Sequence, residues 1–278
     1  MMREPTERVR KTRRNTEKAL PAEQRAPTSD YCWGRNPVVA LLQDAPARCL
    51  KVQIAKTAQR ATVDRLVGLC RSAQVPYAFV ETRALDAILV NENHQGVVAT
   101  IAPVELMRLP ECAERMPSPP GPALAVLLDH VQDPHNVGAM IRSAEAASAS
   151  FLALPVRRSS LPTGTVAKTS AGASLRLPIA AVGNTANAVR DLQEAGLWTV
   201  GLDGNAERTI YDSPLPARCL FVVGGEGKGL TATTRDACDE TLRIPIRGGA
   251  GSLNASIALA VAMFEWSRQH SADGKRKE

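Results

Sequence analysis

Residues 30–103 alternate between apolar segments of strand length and amphipathic segments of helix length. Strand-like segments occupy 50–56, 75–80 and 96–102. Between the first two, apolar residues recur three and four positions apart at Val63, Leu66, Val67 and Cys70. This spacing places them on one face of a helix. The region is therefore predicted to form a small α/β sandwich.

Beyond residue 122 the strands become continuously apolar and alternate with helices. Strands are predicted at 123–131, 150–156, 197–203, 219–224 and 241–246. Helices are predicted at 136–147, 185–196, 233–238 and 252–269. Alternating strands and helices are typical of a mostly parallel sheet covered on both faces, and continuous apolar runs agree with such burial. The fold class is α/β.

Polar residues that accept from free backbone N–H groups mark the expected helix starts. Asn36 is placed to cap the first helix, with Pro37 in its opening turn. By the same reasoning, Asn136 is expected to cap a helix, and Ser252 the final one, with Asn254 in the first turn.

Five prolines between Pro110 and Pro122 argue against regular structure and predict a linker at 104–121. It separates a domain at 30–103 from one at 122–270. Within the first domain, His94 and Gln95 precede Gly96 and a strand. A turn entering the strand is the favoured interpretation, ahead of a chemical role.

The chain has 278 residues and a net charge of +6, a balance that fits a polyanionic partner. Residues 1–29 contain eight Lys and Arg against four Glu, with few apolar side chains, and are predicted to be a disordered basic arm. Two interpretations of this arm remain open: a solvated tail, and an arm that touches RNA. Residues 271–278 are predicted to be a tail.

The composition excludes several classes of protein. Aromatic residues make up only 4%, which argues against an RNA surface built on base stacking. The six cysteines form no C-x-x-C pair and no metal-ligand spacing, so reduced thiols in a cytoplasmic protein without a metal are expected. No apolar run approaches the roughly 20 residues that span a bilayer, so no membrane role is predicted.

The glycine-rich stretch at 222–230 (VVGGEGKGL) is the first candidate for chemistry. A phosphate-binding P-loop requires Ser or Thr after its lysine, but Gly229 follows Lys228. The dinucleotide fingerprint belongs in the first strand–helix turn of a domain, whereas this stretch comes late. Glu226 in its middle would repel a pyrophosphate. A less anionic ligand is expected.

Two more polar segments follow predicted strands, where parallel sheets collect their ligands. The segment at 133–142 contains Asn136 and Arg142, and the arginine lies beside a buried helix stripe. Such a position is unusual for arginine unless it pairs with a carboxylate or phosphate; a snorkelling surface arginine is the alternative. The segment at 245–256 contains Ser252 and Asn254 in a second glycine-rich turn.

Segments 133–147, 222–230 and 244–260 resemble, in order, the three sequence motifs of the SpoU (TrmH-like) family of RNA ribose 2'-O-methyltransferases. Segments 31–42 and 94–101 resemble the two ends of the substrate-recognition domain of members that methylate a guanosine of 23S rRNA.

The resemblance implies a SPOUT-type domain with a trefoil knot at 122–270, an RNA substrate-recognition domain at 30–103 and a homodimer through the C-terminal domain. It implies S-adenosylmethionine (SAM) as methyl donor and RNA as partner, ribosomal RNA being favoured by the separate N-terminal domain. A tRNA ribose methyltransferase of the same family and a non-catalytic, cofactor-binding RNA-binding protein are the alternatives.

Motif matching also assigns residues. The catalytic set implied is Asn136, Arg142, Glu226, Ser252 and Asn254. The cofactor-binding set implied is Leu202, Gly224, Gly225, Glu226, Gly229, Ile244, Ser252 and Leu253. Glu226 and Asn254 would hold the loops and the Arg142 side chain in place. Arg142 is either a base or a ligand of the 2'-hydroxyl and its phosphate; because the pKa of free arginine exceeds about 12, the second role is physically easier.

Overall fold

The computed structural model describes residues 30–270 except 90, 91, 103, 105, 158, 162, 163, 213 and 250. The predicted basic arm at 1–29 and the tail at 271–278 lie outside these residues. Among the helices that are described, none is long and apolar enough to cross a membrane.

The N-terminal part of the chain is a four-stranded sheet with three α-helices. Its strands are β1 (Asp30–Trp33), β2 (Cys49–Ala55), β3 (Tyr77–Val80) and β4 (Val97–Ile101). Its helices are α1 (Arg35–Asp44), α2 (Arg60–Ser72) and α3 (Thr82–Ile88), with a 3-10 turn at Pro46–Arg48. The order is β1-β4-β2-β3, antiparallel except for the parallel β2–β3 pair. The predicted α/β sandwich is confirmed.

Local pattern accounts for two features of this part. Helix α2 buries Leu66 and Cys70 and half-buries Val63 and Val67, as its spacing predicts. The segment before β4 is the expected entry turn, in which the Gly96 N–H donates to His94 Nδ1 at 2.9 Å.

The predicted cap of α1 is wrong. The helix begins at Arg35 and Gly34 precedes it, so Asn36 lies inside the first turn. Gly34 has φ 94°, a left-handed conformation that side chains disfavour, and the position before the helix therefore suits glycine.

The C-terminal part is a seven-stranded sheet. Its strands are β5 (Met107–Arg108), β6 (Ala123–Asp129), β7 (Phe151–Pro155), β8 (Ile179–Val182), β9 (Trp198–Leu202), β10 (Arg218–Gly224) and β11 (Glu240–Leu242). They run in the order β11-β9-β10-β6-β7-β8-β5, and every described pair is parallel. The predicted parallel sheet is confirmed, while the trefoil knot stays a prediction.

Helices cover both faces of this sheet. They are α4 (Leu109–Glu114), α5 (Pro134–Ala146), α6 (Gly164–Thr169), α7 (Thr185–Glu194), α8 (Ala232–Arg235) and α9 (Ala255–His270), with a 3-10 turn at Ala173–Leu175. Helices α5 and α9 pack on one face, with Met140, Ile141, Leu259 and Met263 in the core. Helices α4 and α7 pack on the other face.

The proline-rich stretch contains regular structure that the sequence interpretation excluded. Strand β5 pairs in parallel with β8 at the edge of the sheet, and α4 follows directly. Pro110 is the second residue of α4, where its missing N–H would have no partner inside the helix. The prolines after residue 116 do lie in irregular chain. The domain boundaries themselves stay a prediction.

Two helix caps of this part also differ from expectation. Helix α5 begins at Pro134, and its cap is Asp133, whose side chain accepts from the His135 N–H at 2.9 Å. Asn136 therefore lies in the first turn. Helix α9 begins at Ala255, and Asn254 rather than Ser252 accepts from the Ser256 N–H, at 2.8 Å.

An ion-pair cluster joins the two parts of the chain. Arg176 contacts Asp44 at the end of α1 and Glu145 on α5, the latter at 2.7 Å. Leu175 packs against the core of the N-terminal sheet. The N-terminal part is thus held beside the helix that carries Arg142.

All six cysteines are free, five of them buried and Cys238 half-buried. Burial raises the pKa of Cys32, Cys49 and Cys238 to about 12, so these thiols are protonated at neutral pH.

Candidate functional site

A cavity of about 750 Å³ opens at the carboxyl ends of β9, β10 and β11. This edge is where a parallel sheet is expected to bind ligands. Two loops enclose the cavity, the glycine loop (residues 224–230) and the second loop (residues 245–254), together with the start of α9. The cavity lining includes every residue predicted to bind a cofactor: Leu202, Gly224, Gly225, Glu226, Gly229, Ile244, Ser252 and Leu253.

The lining combines apolar side chains, backbone groups and mixed charges. Val223 and Leu242 contribute to an apolar wall. Asp203 and Glu226 bring negative charge, and Lys228, Arg235 and Arg243 bring positive charge. Within the described chain, no cluster of three or more His, Cys, Asp or Glu residues could hold a metal ion. The cavity therefore suits a ligand of moderate size with both apolar and polar parts.

The glycine loop folds back on itself. The Gly229 N–H donates to the Gly225 carbonyl at 2.9 Å, and the two residues form an isolated β-bridge. A Cβ at Gly224 would lie 2.0 Å from the carbonyl carbon and oxygen of Gly229. Gly227 has φ 76° and Gly229 φ 63°, which side chains rarely adopt. The space beside the Gly224 Cα is thus filled by the loop's own backbone.

A hydrogen bond between two asparagines joins the first and third motifs. Asn254 Nδ2 donates to Asn136 Oδ1 at 3.0 Å, across 118 residues of sequence. Asn136 is buried, and its Nδ2 donates to Asp133 Oδ2 at 3.1 Å. Asn254 Oδ1 meanwhile caps α9. The start of α5 is thereby fixed to the rim of the cavity.

Arg142 lies apart from these residues. It is exposed on α5, whose apolar stripe of Val137, Met140, Ile141 and Ala144 is buried as predicted. Arg142 does not line the cavity, and its side chain makes no hydrogen bond or ion pair with another residue that the structure describes. The expected contact of Arg142 with Glu226 and Asn254 is therefore not formed. The guanidinium is left facing solvent.

The predicted catalytic set thus falls into three groups. Glu226, Ser252 and Asn254 line the cavity, and Asn136 reaches it through Asn254. Arg142 stands six residues after Asn136, about 9 Å further along the helix axis.

Sequence reasoning missed polar residues at this edge of the sheet. Asp203 and Asn205 line the cavity directly after β9, and Arg235 lines it from α8. Asp129 ends β6 and is completely buried. Asp129 and Asp203 lie inside the predicted strands 123–131 and 197–203, so the rule that polar residues following an apolar strand face the ligand edge did not select them. The structure ends β6 at Asp129 and β9 at Leu202, which places both residues at that edge.

Comparison with known proteins finds two matching family models and several similar sequences. The model of the SpoU rRNA Methylase family matches residues 123–264, and that of the RNA 2'-O ribose methyltransferase substrate-binding domain matches residues 31–107. A 23S rRNA (guanosine-2'-O-)-methyltransferase RlmB of Pseudomonas putida is 38% identical over 240 residues, covering 85% of this chain and 95% of that protein. The RlmB of Vibrio cholerae is 35% identical over 249 residues, covering 88% and 99%.

Solved structures share the fold. The SpoU methyltransferase AviRb from Streptomyces viridochromogenes superposes with a TM-score of 0.72 at 22% identity, covering 88% of this chain and 91% of that chain. An AdoMet-bound rRNA methyltransferase from Sinorhizobium meliloti gives a TM-score of 0.70 at 23% identity, covering 86% and 87%. With its two matching family models and its close relatives, the chain belongs to the SpoU rRNA methylase family.

Proposed function

We propose that this protein transfers a methyl group from SAM to a ribose 2'-hydroxyl of RNA, at a guanosine of 23S rRNA. The observation that carries the proposal is the cavity at the carboxyl ends of β9–β11, which collects all eight residues assigned to the cofactor by motif matching. The relatives named for 23S rRNA guanosine 2'-O-methylation supply the reaction and the substrate.

The cavity fits SAM in size and charge. Its volume lies within the range of sites for small molecules. Leu202, Ile244 and Leu253 offer apolar contacts, and the glycine loop brings its backbone to the cavity wall. Glu226 is compatible with a sulfonium cation, which it would attract, whereas the Asp203 carboxylate already lies 3.8 Å from the Arg235 guanidinium. When bound, SAM supplies the activated methyl group.

Arg142 is proposed to bind the RNA rather than the cofactor. Its side chain is exposed, and a guanidinium carries N–H donors but no acceptor, so its hydrogen bonds to RNA are donated ones. A planar fork of donors suits the phosphate beside the reacting ribose and the 2'-hydroxyl itself. Asn136, through its bond with Asn254, keeps α5 and the cavity in a fixed relation.

The N-terminal part is proposed to recognise the RNA. The recognition domain would span residues 30–103, the connection residues 104–121 and the methyltransferase domain residues 122–270.

We also propose that two copies associate through α9. This helix exposes about half of the Ile257 and Phe264 side chains, at 53% and 51%. Large apolar side chains on a helix with other apolar faces already buried favour a protein partner. Methylation of ribosomal RNA implies a cytoplasmic location.

The function is tested by separating cofactor binding from methyl transfer. Arg142→Ala is expected to leave the SAM affinity within about twofold, and to lower kcat by at least about 100-fold because it removes a transition-state contact. Arg142→Lys should lose most of the activity as well, because an ammonium lacks the planar fork. Arg190→Ala is the matched control, since Arg190 is an exposed helix arginine bonded to Asn187 on α7.

Calorimetry measures the SAM affinity, and tritium transfer from labelled SAM measures turnover on 23S rRNA and, separately, on tRNA. Transfer to tRNA alone would favour a tRNA methyltransferase. Binding of SAM without transfer to either RNA would favour a non-catalytic RNA-binding protein. Near-normal turnover of Arg142→Ala would contradict the role given to Arg142.

The oligomeric state has its own test. Sedimentation at micromolar concentration is expected to show a dimer, and the double variant Ile257→Glu, Phe264→Glu a monomer. A monomeric unmodified protein would contradict the proposed dimer and leave the proposed reaction untouched.

A further inference from the structure

Asp129 is a buried carboxylate outside the predicted site. It is the last residue of β6, its side chain is completely inaccessible to solvent, and it does not line the cavity. Charged side chains are almost never fully buried unless they are paired or hydrogen-bonded. The hydrogen bonds of Asp129 therefore indicate which parts of the structure the buried carboxylate holds together.

Both ends of the glycine loop are bonded to this one residue. At the beginning of the loop, the Gly225 N–H donates to the Asp129 carbonyl at 3.1 Å. Just beyond the end, the Thr231 N–H donates to Asp129 Oδ2 at 2.7 Å. The backbone of Asp129 thus holds one end, and its carboxylate holds the other.

The second carboxylate oxygen is also satisfied. Asp129 Oδ1 accepts from Thr185 Oγ1 at 2.8 Å and lies 2.7 Å from His130 Nδ1. Burial alone raises the pKa of the Asp129 carboxyl, but the hydrogen bonds from Thr231, Thr185 and His130 outweigh it and hold that pKa below its usual value. The residue is therefore an anion at neutral pH, the form that accepts all of these hydrogen bonds.

A chain of hydroxyls extends the network to the helices on this side of the sheet. Thr185 Oγ1 lies 2.8 Å from Thr234 Oγ1, and Thr231 Oγ1 donates to Thr234 Oγ1 at 2.8 Å. Thr185 is the first residue of α7, and Thr231 is the cap of α8. The end of the glycine loop is thus fixed to β6, α7 and α8 together.

We propose that Asp129 is a positioning residue that pre-forms the glycine loop for the cofactor. The inference rests on the proposed function. A loop with four glycines has many conformations to lose on binding, and fixing both ends to one residue removes much of that loss before the cofactor arrives. Weakening the attachment should lower the cofactor affinity while leaving the chemical step on bound substrates almost unchanged.

Three variants test the attachment. In Asp129→Asn, the amide offers one acceptor oxygen where the carboxylate offers two. Thr231 has φ −64°, the value fixed by proline, so Thr231→Pro removes the N–H that Asp129 accepts without changing φ. Thr231→Ala is the matched comparison, because it loses the same hydroxyl but keeps the N–H.

We expect Asp129→Asn and Thr231→Pro to raise the Kd for SAM about tenfold, as for loss of a hydrogen bond to a charged group. Their kcat at saturating SAM should stay within about threefold of the unmodified protein. Thr231→Ala should bind SAM about fivefold more tightly than Thr231→Pro. Circular dichroism and thermal melting show whether each variant is folded. If Thr231→Pro is not folded, the SAM affinity of Asp129→Asn alone tests the inference.

Unchanged SAM affinity in both Asp129→Asn and Thr231→Pro would overturn the inference, as would an equal loss of affinity and kcat. If the unmodified protein itself does not bind SAM, the proposed function fails, and hydrogen exchange of residues 225–231 in the ligand-free protein decides the inference. Faster exchange in Asp129→Asn then supports the attachment, and equal exchange overturns it.

Discussion

The two loops that enclose the cavity are held in different ways. The glycine loop is bonded at both ends to Asp129 and crossed by the Gly225–Gly229 bridge. In the second loop, the described residues between 245 and 253 form no backbone hydrogen bond with the rest of the described chain, and attachment begins only at Asn254. Ile246 and Leu253 leave 39% and 38% of their surfaces exposed.

From this difference we expect one wall of the site to be pre-formed and the other to adapt. A segment with few hydrogen bonds and exposed apolar side chains opens at low free-energy cost. Closing it over a ligand would bury Ile246 and Leu253, which favours binding, while the ordering of the loop opposes it. On this expectation, the glycine loop fixes where the ligand binds, and the second loop contributes to how tightly it binds.

The largest expected effect follows from introducing a methyl group into the pre-formed loop. Gly224→Ala would place a Cβ 2.0 Å from the backbone of Gly229, so the loop must move. Overpacking of this kind costs about 3 kcal/mol, which corresponds to about 100-fold in SAM affinity. Gly249→Ala is the control in the second loop, since nothing lies within 4 Å of its Cβ position. Calorimetry measures the SAM affinity of both variants. Equal affinities would contradict the expectation that only the glycine loop is pre-formed.

Trypsin probes the same difference without a mutation. Each loop carries one exposed cleavage site, Lys228 in the glycine loop and Arg247 in the second. Cleavage requires local opening, so Arg247 should be cut faster, by about tenfold, in the ligand-free protein. SAM should slow cleavage at Arg247 more than at Lys228. Mass spectrometry of the early fragments identifies the cleavage site. Preferential cleavage at Lys228 would mean that the glycine loop, and not the second loop, opens more readily.

The smallest effect concerns the residue that ends the second loop. Asn254→Ala removes both the cap of α9 and the bond to Asn136, whereas Asn254→Ser can still cap the helix. Loss of a cap costs about 1 kcal/mol, or about 2–4 °C in Tm for a chain of this size. We expect a lower Tm for Asn254→Ala than for Asn254→Ser, and a similar, few-fold loss of SAM affinity in both. Equal melting temperatures would contradict the capping role.

Features that depend on local spacing were predictable. The continuous apolar run of β6 indicates a strand buried on both faces, and Leu66 and Cys70 lie where helical spacing puts them. Helix boundaries were less predictable, because several polar residues near a helix start can serve as the cap. Asp133 and Asn254 take that role in place of Asn136 and Ser252, because they directly precede the first helical residues, Pro134 and Ala255.

The sequence by itself determined the α/β class, the segments at the ligand edge of the sheet and, through its motifs, the family and the residues to inspect. Only the tertiary structure decided that Gly224 and Asp129 are neighbours in adjacent strands, that Asn254 reaches Asn136, and that Arg142 stands outside the cavity. The physical reason is sequence separation. Periodicity and capping act within a few residues, whereas these contacts join segments 95 or more positions apart, and their pairing depends on the strand order of the whole sheet.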